Sequence, residues 1–186
     1  KFQEAADKAG IDPRSLTDSV SQNFPHSAGV MNFSNDQFIR TTEARHYASS
    51  QALWTRLQER GHIRLDKYAG WYSVRDEAFF TEAELVDGKA PTGAPVEWVE
   101  EPSYFFDLSK WQQPLLDFYE ENPNFIAPEG RKKEVISFVS GGLKDLSVSR
   151  TTFDWGVPVP GDDGHVMYVW LDALTNYLTA LDWHED

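Results

Sequence analysis

Cysteine is absent from all 186 residues. That excludes disulfides, a thiolate zinc site and a cysteine nucleophile. Basic residues are scarce: seventeen Lys and Arg stand against thirty Asp and Glu, for a formal charge of -13. The imbalance is concentrated in residues 61–130, where fourteen acids face five bases. A general DNA- or RNA-binding surface needs cations to displace counterions, so this composition argues against one. No apolar run approaches the roughly 20 residues of a membrane span, and Lys1-Phe-Gln-Glu does not open a secretory signal. The expectation is a soluble, cytoplasmic protein with neither membrane nor DNA as partner. Also missing are a Gly-rich phosphate loop and a nucleophile-elbow serine.

Aromatics, by contrast, are plentiful at 14%, with seven Trp. That load suits a mixed sheet-and-helix core or a ligand site. Asp12-Pro13 predicts a helix start, with Asp as cap and Pro in the first turn. Leu16, Val20 and Phe24 then share a face, and a loop is expected from Pro25 to Ser34. Thr42 is the expected cap of a second helix, which carries Tyr47, Leu53, Trp54 and Leu57 inward and ends at Gly61. From His62 the texture turns to strands, with turn-like breaks expected at Asp66-Lys67 and Gly70. Residues 62–106 read as a compact, mostly antiparallel β unit between helical stretches. Helices follow over about 109–121 and from Pro128 to Gly141. A short strand at Leu146, a buried strand over His165–Leu171 and a helix over Asp172–Leu181 complete the reading.

Two Glu-x-x-His pairs occur, Glu43/His46 and Glu59/His62. Such pairs mark di-iron bundles, but Gly61 breaks the second one, and chance accounts for both better. No metal site is predicted. Asp76-Glu77 and Glu100-Glu101 are adjacent acids that point to opposite faces of a strand, and they read as surface charges. Arg131-Lys132-Lys133 reads as a solvated helix face. The informative stretch is the last forty residues. Trp170, Ala173, Leu174 and Tyr177 stand at i, i+3, i+4 and i+7, beside the end of a strand, where α/β folds place ligands.

These residues carry a family resemblance. Ser147-Val-Ser-Arg-Thr-Thr-Phe-Asp-Trp-Gly-Val-Pro-Val-Pro-Gly-Asp and His165-Val-Met-Tyr-Val-Trp-Leu-Asp-Ala-Leu-Thr-Asn-Tyr resemble the catalytic core of bacterial methionyl-tRNA synthetases. Gly70-Trp-Tyr-Ser-Val-Arg-Asp-Glu-Ala-Phe-Phe and Glu101-Pro-Ser-Tyr-Phe-Phe-Asp-Leu-Ser-Lys resemble that family's connective insertion, and Phe38-Ile-Arg-Thr-Thr-Glu-Ala-Arg-His the segment before it. The resemblance implies an α/β fold: part of a class I synthetase Rossmann-type catalytic domain with an inserted antiparallel β/α connective subdomain. Residues 1–61 would belong to the helical part of the core. Residues 62–144 would be the insertion, strand-rich over 62–106 and helical over 109–142, and residues 145–186 the return to the core.

The implied chemistry joins methionine and ATP, supplied with Mg2+ as substrate, into methionyl-adenylate, followed by transfer to tRNA(Met). By the same resemblance Trp170, Ala173, Leu174 and Tyr177 match the methionine pocket, where an unbranched thioether suits an aromatic cage. Arg150 matches a catalytic arginine near the ATP phosphates. Trp155 and Gly156 match the nucleotide-binding loop, and Asp172 and Asn176 supply polar support behind the substrate. Many members hold zinc through Cys-x-x-Cys knuckles in the insertion. Here Ser73 and Asp76 stand at the first knuckle and Lys89–Thr92 near the second, so no zinc is expected. The family's His-Ile-Gly-His and Lys-Met-Ser-Lys-Ser signatures do not occur. The expectation is a fragment of a longer enzyme, inactive alone. The alternative is a non-catalytic, synthetase-derived binding module.

Overall fold

The structure, a computed structural model, describes residues 2–76, 78–152 and 154–183. They fall into two compact units, divided between residues 39 and 40.

In the first unit α1 (Phe2–Ala9) ends where Gly10 takes a φ of 66° and Ile11 N–H reaches back to Ala6 O. Helix α2 (Pro13–Ser21) begins as its sequence predicts: Asp12 Oδ2 accepts from Ser15 N–H at 2.9 Å, and Pro13 sits in the first turn. The expected loop after Pro25 is instead helix α3 (Asn23–Val30). Pro25 is tolerated because it lies in the first turn, where backbone N–H groups have no helical partner. Gln22 separates α2 from α3, so Phe24 leaves the Leu16–Val20 face and stacks on Phe38, centroids 6.4 Å apart.

The second unit opens with α4 (Ala44–Glu59). Its N-cap is Glu43 rather than Thr42, and Gly61, at φ 70°, turns the chain into the first strand. Strand β1 (Ile63–Ser73) runs unbroken. The polar Asp66 and Lys67 stay in the ladder because they pair with Ser103 and Pro102. Gly70 is no break either: a Cβ there would come within 3.1 Å of the Phe79 ring, so glycine admits that ring onto the strand. Strand β2 (Ala78–Phe80) pairs with the end of β1. The stretch that follows is not strand. Thr81 and Glu84 form a capping box over a 3-10 turn, and Val86 and Lys89 bridge a tight turn through Asp87 and Gly88, both at positive φ.

Strand β3 (Glu97–Phe106) pairs with β1 antiparallel over ten residue pairs, from Ile63 opposite Phe106 to Tyr72 opposite Glu97. Helices α5 (Gln112–Glu121) and α6 (Glu129–Ser140) then form a hairpin. Strand β4 (Leu146–Ser147) joins the edge of β3, closing a four-stranded antiparallel sheet of order β2-β1-β3-β4. Strands β5 (Ser149–Arg150), β6 (Pro158–Val159) and β7 (Asp162–Met167) make a second sheet of order β5-β7-β6, also antiparallel. Val148 couples the two sheets. Its N–H donates to Tyr104 O at 2.7 Å, and its carbonyl accepts from Tyr168 N–H at 2.8 Å.

The expected strand His165–Leu171 therefore stops at Met167. Tyr168 makes the last cross-strand bond, Val169 turns the chain, and Trp170 already begins helix α7 (Trp170–Thr179). The core of this unit gathers Trp54, Ile63, Val148, Val157, Val159 and Met167, with Tyr104 and Leu57 against them. Trp54 meets Tyr104 edge-on at 5.2 Å, which joins α4 to the long hairpin. Among the described residues no helix is long and apolar enough to cross a membrane.

Candidate functional site

The site is built where β7 hands over to α7. Val169 makes the turn at φ 44° and ψ -88°, a conformation unfavourable for a β-branched residue. Behind it α7 presents two unlike faces. Thr175 and Thr179 are buried on the side that packs against α4, with its buried His46, Ser49 and Ser50. These small side chains allow close approach, and both threonine hydroxyls bond carbonyls of their own helix, at Leu171 and Thr175.

Trp170, Ala173, Leu174 and Tyr177 lie on the other side, all exposed; Trp170 keeps 53% of its surface and Tyr177 75%. The i, i+3, i+4, i+7 pattern thus marks an outward stripe on this unit and contributes nothing to its core. Trp170 and Leu174 also border an apolar groove of about 430 Å³, completed by Leu53, Leu57, Phe106 and Leu146.

Three further residues singled out in the sequence come together. Trp155, Gly156 and Asp172 line one cavity of about 160 Å³, with Thr41, Thr42 and Tyr47 opposite. Gly156 lies so close to β7 that a Cβ would meet Val166 Cβ at 3.3 Å. The Thr42 hydroxyl is buried without a hydrogen bond. Asn176 donates to Ala173 O at 2.9 Å, and its Oδ1 is buried and unpartnered.

Arg150 is not among these residues. Only 5% of it is exposed. Its Nε stands 3.3 Å from Glu101 Oε1, and its guanidinium lies over the rings of Tyr168, Tyr68 and Phe79 at 3.8, 5.1 and 5.3 Å. Further donors go to Ser147 Oγ and Ser149 O. In this arrangement the charge expected near phosphate is already matched by a carboxylate and shielded by rings. Burial raises the Tyr68 hydroxyl above its ordinary pKa, and the Arg150 charge opposes that shift. Glu101, which reads as a surface charge, is instead one of the most buried acids of the chain, because Arg150 and Thr151 partner it.

Asp76 also departs from the surface reading; Glu77 lies outside the described residues. Asp76 Oδ2 accepts from Ser73 Oγ at 3.0 Å and from Thr92 Oγ1 at 2.5 Å, and Arg75 reaches Thr92 O at 2.8 Å. The Thr92 hydrogen bond, with Ser73 and Arg75, holds the Asp76 carboxyl below the usual range. These are the positions that the resemblance aligns with zinc knuckles. A donor set of two hydroxyls and one carboxylate, bonded to one another, does not fit zinc, which takes thiolates and imidazoles at structural sites. Among the described residues no group of three His, Asp or Glu stands at metal-binding distance.

Two partnerships escape the sequence reading. His46, in a Glu-x-x-His pair that reads as chance, is fully buried and meets Asp172 Oδ1 at 2.6 Å. His165 meets the Ser149 hydroxyl at 2.9 Å, and Asp162 lies 3.8 Å from its other nitrogen. That Ser-His-Asp row is no nucleophile. Ser149 is fully buried, and its oxygen is held by Tyr104 N–H at 2.8 Å.

A family model described as tRNA synthetases class I (M) matches residues 1–95 and 92–185. The chain belongs to that family. It is 61% identical over 182 residues to the methionine–tRNA ligase of Rickettsia felis, covering 97% of this chain and 36% of that protein. To the methionine–tRNA ligase of Rhizobium meliloti it is 60% identical over 185 residues, with the same coverage of 97% and 36%. Among solved structures it resembles Mycobacterium tuberculosis methionyl-tRNA synthetase in complex with methionyl-adenylate. The TM-score is 0.84 at 56% identity, over 96% of this chain and 36% of that one. The free state of that enzyme matches at a TM-score of 0.73 and 58% identity, over 89% and 34%. The chain thus spans about a third of the length of the relatives it matches, and it is part of the class I synthetase α/β catalytic domain, although both sheets among the described residues are antiparallel.

Proposed function

We propose that this chain is the part of a methionine–tRNA ligase that supplies one wall of the methionine site together with the connective insertion, residues 62–144. The carrying observation is the outward stripe of α7. Trp170, Ala173, Leu174 and Tyr177 are exposed together on a helix whose opposite face is packed. An apolar, aromatic surface of this kind suits a thioether side chain. The resemblance to an enzyme solved with methionyl-adenylate supports the same substrate.

In the whole enzyme the methionine carboxylate attacks the α-phosphorus of ATP, and the bond to the pyrophosphate leaving group breaks. A ribose hydroxyl at the tRNA 3′ end then attacks the activated carbonyl and AMP departs. A carboxylate needs little acid–base help for the first step, so the protein contributes mainly position and charge. Within this reading Trp155 and Gly156 serve the nucleotide, and Asp172 and Asn176 support the first turns of α7. Arg150 is reassigned from the phosphates to clamping the insertion onto the core.

The test is ATP–pyrophosphate exchange with each amino acid, on the full-length polypeptide and on this chain. Exchange by the full-length protein with methionine alone, and none by this chain, is expected. Exchange driven by leucine or isoleucine would overturn the substrate, and no exchange by the full-length protein would overturn the enzyme reading.

A further inference from the structure

His46 projects from α4 into its contact with α7, fully buried, and it meets three polar side chains. Nε2 lies 2.6 Å from Asp172 Oδ1 and 3.3 Å from Ser50 Oγ; Nδ1 lies 3.1 Å from Thr179 Oγ1. A carboxylate only accepts, so Nε2–H donates to Asp172, and Nδ1 of the neutral ring is then an acceptor. The Thr179 hydroxyl, 3.1 Å from Nδ1 and 3.0 Å from Thr175 O, can turn its hydrogen to either. One ring thus ties the first turn of α7, through Asp172, to its last turn, through Thr179. No aliphatic side chain could make both bonds.

Asp172 is more than a structural anchor. It follows Trp170 by two positions, precedes Ala173 directly, and lines the cavity with Trp155 and Gly156. We infer that His46 is a positioning residue for the methionine site: it holds Asp172, and with it the turn of α7 that carries Trp170 and Ala173, at a fixed rotation and depth. This rests on reading the α7 stripe as the methionine wall. The strained turn at Val169 adds to the need, because the helix start is not secured by its own capping residue. Val169 has no side-chain cap, and the tie to α4 supplies the missing restraint.

Two conservative variants separate the two bonds. His46→Gln can place an amide N–H near Nε2 and keep the Asp172 contact. His46→Asn places one near Nδ1 and keeps only Thr179. Each is made in the full-length enzyme and assayed by ATP–pyrophosphate exchange, with a thermal melt to establish folding. His46→Asn is expected to raise the methionine KM about tenfold while the ATP KM and kcat move by less than about threefold, and His46→Gln to restore most of the loss. If His46→Asn fails to fold, Asp172→Asn, at a partly exposed position, carries the test with the same expected split.

Equal rises in both KM values, or rescue by Asn and not by Gln, would overturn the role, as would a change in melting temperature with both KM values unmoved. Trp170→Ala is the control for the underlying reading. If it leaves the methionine KM unchanged, the stripe is not the methionine wall, and this role falls with it. If it raises that KM while His46→Asn does not, only the positioning role is lost.

Discussion

Arg150 and Glu101 face each other where the two sheets meet, Nε to Oε1 3.3 Å apart, with 6% and 5% of their side chains exposed. The pair links β3 to β5, and three aromatic rings surround the guanidinium. Removing one partner leaves a buried charge unmatched. Glu101→Ala should therefore destabilise the chain by about 3–5 kcal/mol in urea melts. Replacing both residues, as Arg150→Met with Glu101→Leu, should recover most of that loss, because neither desolvation cost then remains. A loss below about 1 kcal/mol for the single variant would show that the pair does not clamp the sheets.

The contrast between Trp170 and Trp54 separates binding surface from core. Trp54 is fully buried, while Trp170 keeps 53% of its surface exposed. Trp54→Ala should cost about 3–5 kcal/mol. Tyr177→Ala and Leu174→Ala, at exposed stripe positions, should change stability by no more than about 0.5 kcal/mol. Denaturant unfolding of this chain measures both. A large loss at Tyr177 would return the stripe to a structural role.

What could be read from the residues was mostly local. Asp12-Pro13 and Gly61 announce helix ends because their side chain, ring and φ requirements are met within a few residues. The β texture after His62 is legible for the same reason. Misreadings came where a partner distant in sequence decides. Asp66-Lys67 has turn chemistry, yet Pro102 and Ser103 hold it in a ladder. Glu101 is one acid among many until Arg150 is brought against it. His46 has a carboxylate three residues before it in sequence, but its partner is Asp172, 126 residues away. The strand expected over His165–Leu171 holds no Gly, Pro, Asn or Asp, so nothing in that run marks the turn at Val169. The stripe itself was legible as a pattern, but spacing alone does not tell an outward face from a buried one.

Acid should loosen the turn around Asp76. Its carboxyl lies below the ordinary range, chiefly through the Thr92 hydrogen bond, then through Ser73 and Arg75. A depressed carboxylate pKa stabilises the fold above the unfolded value, and the contribution fades as pH falls through the folded one. Thr92→Val removes the leading cause, so the Asp76 carboxyl should titrate at higher pH, closer to its ordinary value. Carboxyl-carbon NMR of the Asp76 resonance in both proteins measures the shift. Identical titration curves would mean that the hydroxyl contact does not hold the two loops together.

Gly156 tests how tightly the cavity beside Asp172 is built. An added Cβ would lie 3.3 Å from Val166 Cβ, 3.6 Å from its Cγ2 and 3.7 Å from Met167 O. Val166 is buried and β-branched, with little freedom at χ1 to withdraw, and Met167 is held by its backbone bond to Val157 O at 2.8 Å. Gly156→Ala should therefore cost about 1–3 kcal/mol, as overpacking usually does. Val166→Ala alone should also destabilise, by leaving a void. Combined with Gly156→Ala, its cost should shrink, because the new methyl occupies the space that the valine vacates. A double-mutant cycle of thermal melts measures that coupling. Strict additivity would mean that the segment carrying Gly156 shifts away from β7 without resistance, and that the cavity wall is soft at this point.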